Sequence, residues 1–256
     1  MTSAKPDVPG TAAFTKFMNV LQAVSDAAQP ASVSELSKAL GYPRPTTFRI
    51  VAALLSEGML EETGSDGRLR IGPRVVTLAR HALDTSDLRS VAEPHLEVLR
   101  DTLDETVHLA VRSGLEMVYI AKLESRRTVR MASRVGTRVT LYSSSVGKSW
   151  LAHQPDARVD ELLQELDLVA LMPATITEPD ALRRELRAIV ARGYATDLEE
   201  NEADICCYGC PIIDARGQVI GCLSTSMPSY RFQALAPETA VSALQLCARA
   251  IASSVS

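Results

Sequence analysis

Apolar residues recur along the first sixty positions at helical spacing, and further on at the spacing of strands. Over residues 11–28, Phe14, Phe17, Met18, Leu21 and Val24 form one face of a helix that Pro30 then stops. Ser32 or Ser34 is placed to cap a second helix carrying Val33, Leu36 and Leu40. Gly41 stands where a helix end favours a left-handed residue, and Pro43 and Pro45 set a tight turn. Arg44 precedes a proline and is expected at the entrance of a third helix over residues 45–57, with Pro45 as its first helical residue. Helical spacing puts Phe48, Val51, Ala52 and Leu55 on the core side of that helix, and Thr46, Arg49, Ile50 and Ala53 outside. Residues 60–71 read as a hairpin around Gly64-Ser-Asp-Gly67, with Arg68 and Arg70 on one face.

The later pattern mixes both periods. Helices are expected over residues 73–83 and 88–103, then strands over 106–111, 117–121 and 128–133. Helices follow at 145–153, 158–166 and 180–192, a hairpin pairs 206–213 with 218–227, and a last helix spans 237–252. The fold class is therefore α+β, with a mainly antiparallel sheet in the second part. The expected organisation is a disordered tail at 1–10, a winged helix-turn-helix domain at 11–72, a linker helix at 73–85 and a second domain at 86–256.

Helix, turn, helix and wing together suggest a helix placed in the major groove of DNA. Arg44, Thr46, Thr47 and Arg49 are the candidate groove contacts, and Arg68 and Arg70 the candidate wing contacts. Charge refines this picture. The chain of 256 residues has a net charge of −4, yet residues 1–84 carry nine basic and eight acidic side chains against 18 and 23 in the remainder. No acidic residue lies between Glu35 and Glu57, whereas Lys38, Arg44 and Arg49 do. The acidic second part is a poor surface for nucleic acid. With no signal peptide and no membrane-spanning apolar run, the expected location is the cytoplasm.

Three motifs invite other chemistry. Ser145-Val-Gly-Lys-Ser149 resembles the end of a phosphate-binding loop, but Tyr142 stands where that loop requires its first glycine. Cys207 and Cys210 have redox-motif spacing, but positions three apart on a strand face opposite ways. The five cysteines and four histidines form no zinc-ligand spacing. His108 lies in a strand without a nucleophile pattern around it. No enzyme, cofactor or metal is expected. A thiol- or metal-responsive regulator on the same scaffold is the alternative, and a protein-interaction module a further one.

The ordered motifs resemble the IclR family of bacterial transcription regulators over residues 11–254. They are Leu40-Gly-Tyr-Pro-Arg-Pro-Thr-Thr-Phe-Arg49, Gly58-Met-Leu-Glu61, Asp104-Glu-Thr-Val107, Val135-Gly136, Ser145-Val-Gly-Lys-Ser-Trp-Leu-Ala152, Thr175-Ile176, Gly193-Tyr-Ala-Thr-Asp-Leu-Glu-Glu200, Cys207-Tyr-Gly-Cys-Pro211 and Leu223-Ser-Thr-Ser226. The resemblance implies a homodimer or homotetramer on a pseudo-palindromic double-stranded operator. It also implies a GAF-like C-terminal domain that binds a small metabolite, often a carboxylic acid of aromatic, sugar-acid or glyoxylate catabolism. The pocket positions it implies are Ser144, Ser145, Val146, Gly147, Asp197, Cys207, Ser224 and Ser226. The family usually has glycine at the position of Asp204, small apolar residues around Tyr208 and Cys210, and proline at the position of Thr140. These departures are expected to alter the pocket neighbourhood. Repressor and activator remain equally open, as do the effector and the target genes.

Overall fold

A computed structural model describes residues 11–255 apart from 65, 85, 86 and 130. The expected tail at 1–10 and part of the expected linker lie outside the described residues. The chain forms two compact units, 1–85 and 86–256.

The first unit contains α1 (Ala12–Asp26), α2 (Val33–Leu40), α3 (Arg44–Ser56), β1 (Leu60–Thr63), β2 (Arg68–Ile71) and α4 (Pro73–Asp84). Ser32 caps α2 in a reciprocal box. Its hydroxyl accepts from Glu35 N, and the Glu35 carboxylate accepts from Ser32 N at 2.7 Å. The helix ends at Gly41 in the left-handed region. β1 and β2 pair antiparallel, and Ala31 bridges to Leu69. Val20, Leu21, Val24, Leu36, Ile50, Val51, Leu54, Leu60 and Leu69 form the core.

Two face assignments are corrected here. On α3 the buried stripe is Thr47, Ile50, Val51 and Leu54, while Phe48 is 63% exposed and Ala52 is also exposed. The helix is rotated from its expected setting because Ile50 and Val51, not Phe48, meet the core residues of α1 and the wing. It also begins one residue early, with Arg44 first and Pro45 second. On α1, Val20 is core, whereas Phe14 and Met18 are exposed.

The second unit is built on a six-stranded antiparallel sheet, in the order β5-β4-β3-β8-β7-β6. Its strands are β3 (Thr106–Ser113), β4 (Glu116–Leu123), β5 (Arg138–Thr140), β6 (Ala195–Leu198), β7 (Ile205–Ile213) and β8 (Val219–Pro228). Its helices are α5 (Asp87–Leu103), α6 (Ser145–Ala152), α7 (Asp156–Glu165), α8 (Pro179–Arg192), α9 (Ser229–Ala234) and α10 (Pro237–Ser254). Strand alternation divides the side chains between two cores. Leu109, Leu223, Tyr208, Cys210 and Ile212 pack with Leu96 and Leu99 of α5 and Leu244 and Ile251 of α10. Ala110, Met117 and Cys222 pack with Trp150, Leu162, Leu182 and Ile189 of α6, α7 and α8.

The expected strand at 128–133 is not formed among the described residues. Lys122 Nζ donates to the carbonyls of Met131 at 2.8 Å and Ser133 at 2.6 Å, so a side chain occupies acceptors that a strand partner would need. The sheet edge is β5 instead, paired with β4.

Candidate functional site

Two sets of polar residues lie in the two units. The first is the outward face of α3. Arg44, Pro45, Phe48, Arg49 and Ala52 are exposed at helical spacing, and the first four line a shallow concavity. Neither Arg44 nor Arg49 has an ion-pair partner among the described residues. Thr46 is half-buried at the start of the helix. Thr47, expected as a groove contact, is fully buried. Its hydroxyl donates to Pro43 O at 3.3 Å, so it holds the turn and has no outward reach.

The wing arginines are exposed but engaged. Arg70 pairs with Glu61 across the hairpin at 2.7 Å. Arg68 pairs with Asp66 at 3.1 Å and donates to Pro30 O at 2.7 Å. Such exposed pairs contribute roughly 0–1 kcal/mol, so a phosphate can replace the carboxylate at small cost.

The second set crosses one face of the large sheet. Asp197 on β6 pairs in register with Cys207 on β7, and Cys207 pairs with Ser226 on β8. The Cys207 thiol donates to Ser226 Oγ at 3.1 Å. His108 on β3 lies opposite Ser224, and its Nδ1 is 3.4 Å from the hydroxyls of both Ser224 and Ser226. His108 Nε2 bonds Ser133 Oγ at 2.8 Å, and Tyr119 stacks on the imidazole with ring centres 4.2 Å apart. The Tyr119 side chain is buried, yet its hydroxyl has no hydrogen-bond partner among the described residues.

The first turn of α6 packs over this face. Ser144 caps it, donating to Thr140 O at 2.6 Å and accepting from Gly147 N at 3.0 Å. A Cβ on Gly147 would lie 2.2 Å from Thr140 O, and one on Gly209 would lie 2.8 Å from Ser145. Only hydrogen fits at either position, which is how the helix start reaches the sheet. The amides of Ser145 and Val146 belong to the first turn and have no intrahelical acceptor, which suits an anion.

Burial sets the charge of the site. It holds His108 down at about 3, helped by the Lys122 charge, so the imidazole is neutral. It pushes Asp197 up to about 7, with Glu200 adding like charge, although Glu200 N donates to Asp197 Oδ1 at 2.8 Å. Beneath α6, Lys148 and Glu200 form a buried ion pair, and Thr175 Oγ1 donates to Glu200 O at 2.6 Å. Lys148 is thus consumed by Glu200, not placed for a phosphate.

Of the expected pocket positions, Asp197, Cys207, Ser224 and Ser226 share one face of the sheet, and Ser144–Gly147 form the cap and first turn of α6 packed over it. His108 and Tyr119 are placed beside them by strand register, and Glu200 by its ion pair with Lys148 on α6, pairings that the local sequence does not reveal. Tyr208 and Cys210, expected near the pocket, face the opposite core instead, where Tyr208 stacks on Phe232 at 4.3 Å. Asp204, at a position where the resemblance leads one to expect glycine, has φ 61°, a conformation that favours glycine. For the thiol alternative, burial raises every cysteine, Cys206 to about 11 and Cys247 to about 12. Such thiols are poor nucleophiles. Among the described residues no group of three or more His, Cys, Asp or Glu could hold a metal.

Comparison with known proteins gives matches in both units. Residues 13–64 match the IclR helix-turn-helix domain, and residues 80–253 match the bacterial transcriptional regulator IclR C-terminal model. The transcriptional regulator KdgR of Escherichia coli is 30% identical, over 92% of this chain and 89% of its own. The crystal structure of the Thermotoga maritima IclR is 32% identical with a TM-score of 0.77, covering 94% of this chain and 97% of that one. An IclR homolog from Microbacterium hydrocarbonoxydans, complexed with 4-hydroxybenzoate, is 30% identical with a TM-score of 0.81, covering 95% and 99%.

Proposed function

This chain belongs to the IclR family of bacterial transcription regulators, and on that premise we propose that a small carboxylic acid controls its operator binding or promoter output. The observation that carries this reading is the buried polar row of Asp197, Cys207, Ser226, His108 and Ser224 on the sheet face that the first turn of α6 packs over. The carboxylate meets the amides of Ser145 and Val146 and the turn at Ser144 and Gly147. The hydroxyls of Ser224 and Ser226 and the unpartnered hydroxyl of Tyr119 receive its other polar groups.

Arg44, Thr46 and Arg49 enter the major groove, while Arg68 and Arg70 exchange their carboxylates for phosphate. Residues 11–72 are the DNA-binding domain, 73–85 the linker and 86–256 the effector and oligomerisation domain. A second copy covers the exposed apolar residues Phe14 and Met18 of α1 and Val76 and Leu78 of α4. This homodimer reads a pseudo-palindromic operator in the bacterial cytoplasm. Among the described residues no helix is long and apolar enough to cross a membrane. An acid controls the operator only if it binds the two DNA-binding arrangements unequally.

Fluorescence anisotropy of the purified protein on DNA upstream of its own gene, against scrambled DNA, tests the reading. Preferential, salt-sensitive binding that aromatic, sugar or keto acids then alter is the expected result. The Ser224→Ala protein should keep operator binding and lose the response. If a bound acid left both operator affinity and promoter output unchanged, the control mechanism would be wrong.

A further inference from the structure

Phe48 is an exposed aromatic residue on the outward face of α3. A phenyl ring on the solvent side of a helix loses the burial that usually holds phenylalanine in place, worth about 1.5–3 kcal/mol. Here the ring is 63% exposed while Ile50, Val51 and Leu54 fill the core beneath. It stands one turn beyond Arg44 and Pro45 and directly before Arg49, and these four residues line one concavity. Ala52, a further turn on, is small and exposed, which leaves the stripe low and able to lie against a surface. No acidic residue occurs between Glu35 and Glu57, and the only charged residues lining this apolar spot among the described residues are Arg44 and Arg49. An apolar group between two unpaired guanidinium groups suits a polyanion that itself presents an apolar group. Duplex DNA does so only in the major groove, at the 5-methyl of thymine.

We infer that Phe48 is a specificity-determining residue that packs its ring on a thymine methyl in each operator half-site, with Arg44 and Arg49 on either side. This inference rests on the DNA-binding reading and deepens it. The arginines can hold phosphate or guanine at any site, so the ring supplies discrimination that charge alone does not. Its contribution is apolar. It therefore leaves the salt dependence of binding, which counts neutralised phosphates, unchanged.

The test uses the full-length protein. Duplexes selected from a random pool define the preferred site, and each thymine in it is then replaced in turn by deoxyuridine, which removes only the methyl. One position per half-site should weaken binding about fourfold, the worth of one buried methyl group. Phe48→Ala should bind the thymine and uracil duplexes equally and keep the salt slope, while Phe48→Leu keeps part of the difference. Because the ring is exposed, both variants should melt as the parent does. Undiminished thymine preference in Phe48→Ala would assign the methyl to another residue and overturn the proposal. A site without any thymine dependence would also overturn it. A Phe48→Ala protein whose oligomeric state changes at unchanged DNA preference would give the ring to a second copy instead. Failure to select any sequence would overturn the DNA-binding reading beneath the proposal, and is distinct from the other outcomes.

Discussion

The outward face of α3 and the polar row of the large sheet handle charge in opposite ways. On α3, two exposed guanidinium groups come from one short stretch and have no partner among the described residues. On the sheet, five strands contribute buried groups, and burial removes charge from them, holding His108 down at about 3 and Asp197 up at about 7. The first arrangement attracts a polyanion through water and weakens with salt. The second, on the proposed function, would select a small molecule by hydrogen bonds among buried groups, where salt has little effect and protonation has much. One chain can therefore separate the two jobs by solvent exposure alone.

Removing a charge from each region should give the sharpest contrast. Lys148→Ala leaves Glu200 buried without its cation, and about 3–5 kcal/mol of stability should be lost in denaturant unfolding. A loss below about 1 kcal/mol would mean that water reaches Glu200 and that the region is not dry. Arg49→Ala should instead leave unfolding within about 0.5 kcal/mol of the parent. Its operator affinity should fall by about 1–3 kcal/mol with relaxed specificity at one position if Arg49 reads a base. If it holds phosphate, binding to all sequences should weaken and the salt slope flatten, and no change would remove Arg49 from the interface.

Protonation sharpens the comparison from the other side. Asp197 is neutral below its pKa of about 7 and an anion above it, so an anionic effector meets like charge only at the higher pH. Affinity for the acid should rise about tenfold from pH 8 to pH 6, and Asp197→Asn should abolish the dependence. Calorimetry of both proteins at the two pH values decides this, with equal affinities in the parent as the damaging result. The smallest effect is expected at Thr47. Thr47→Val removes one buried hydrogen bond and should cost about 1 kcal/mol of stability without changing operator affinity. A loss of DNA binding in a fully folded Thr47→Val protein would return that residue to the groove.

Much of the architecture was legible because its signals are local. The cap at Ser32, the helix end at Gly41 and the turn between Gly64 and Gly67 are set by neighbours within a few residues. The strands β3, β4, β7 and β8 show in alternation or solid apolar runs. The missed elements β5, β6 and α9 are short, and the two strands gain their identity only from partners distant in the chain. The false strand at 128–133 had a local pattern, but Lys122 took its carbonyls.

By itself the sequence determined the family, the helices other than α9, the wing hairpin and the four central strands β3, β4, β7 and β8, since each follows from spacing, turn chemistry or an ordered motif. Tertiary structure alone decided which stripe of α3 faces inward. Apolar residues lie on more than one side of that helix, and only the shape of the core formed by α1 and the wing chooses Ile50 over Phe48. It also decided that His108 and Tyr119 lie beside the polar row. His108 reaches Ser224 and Ser226 through the register of β3 with β8, a pairing across more than a hundred residues, and Tyr119 stacks on His108 from β4, which pairs with β3 through a bulge.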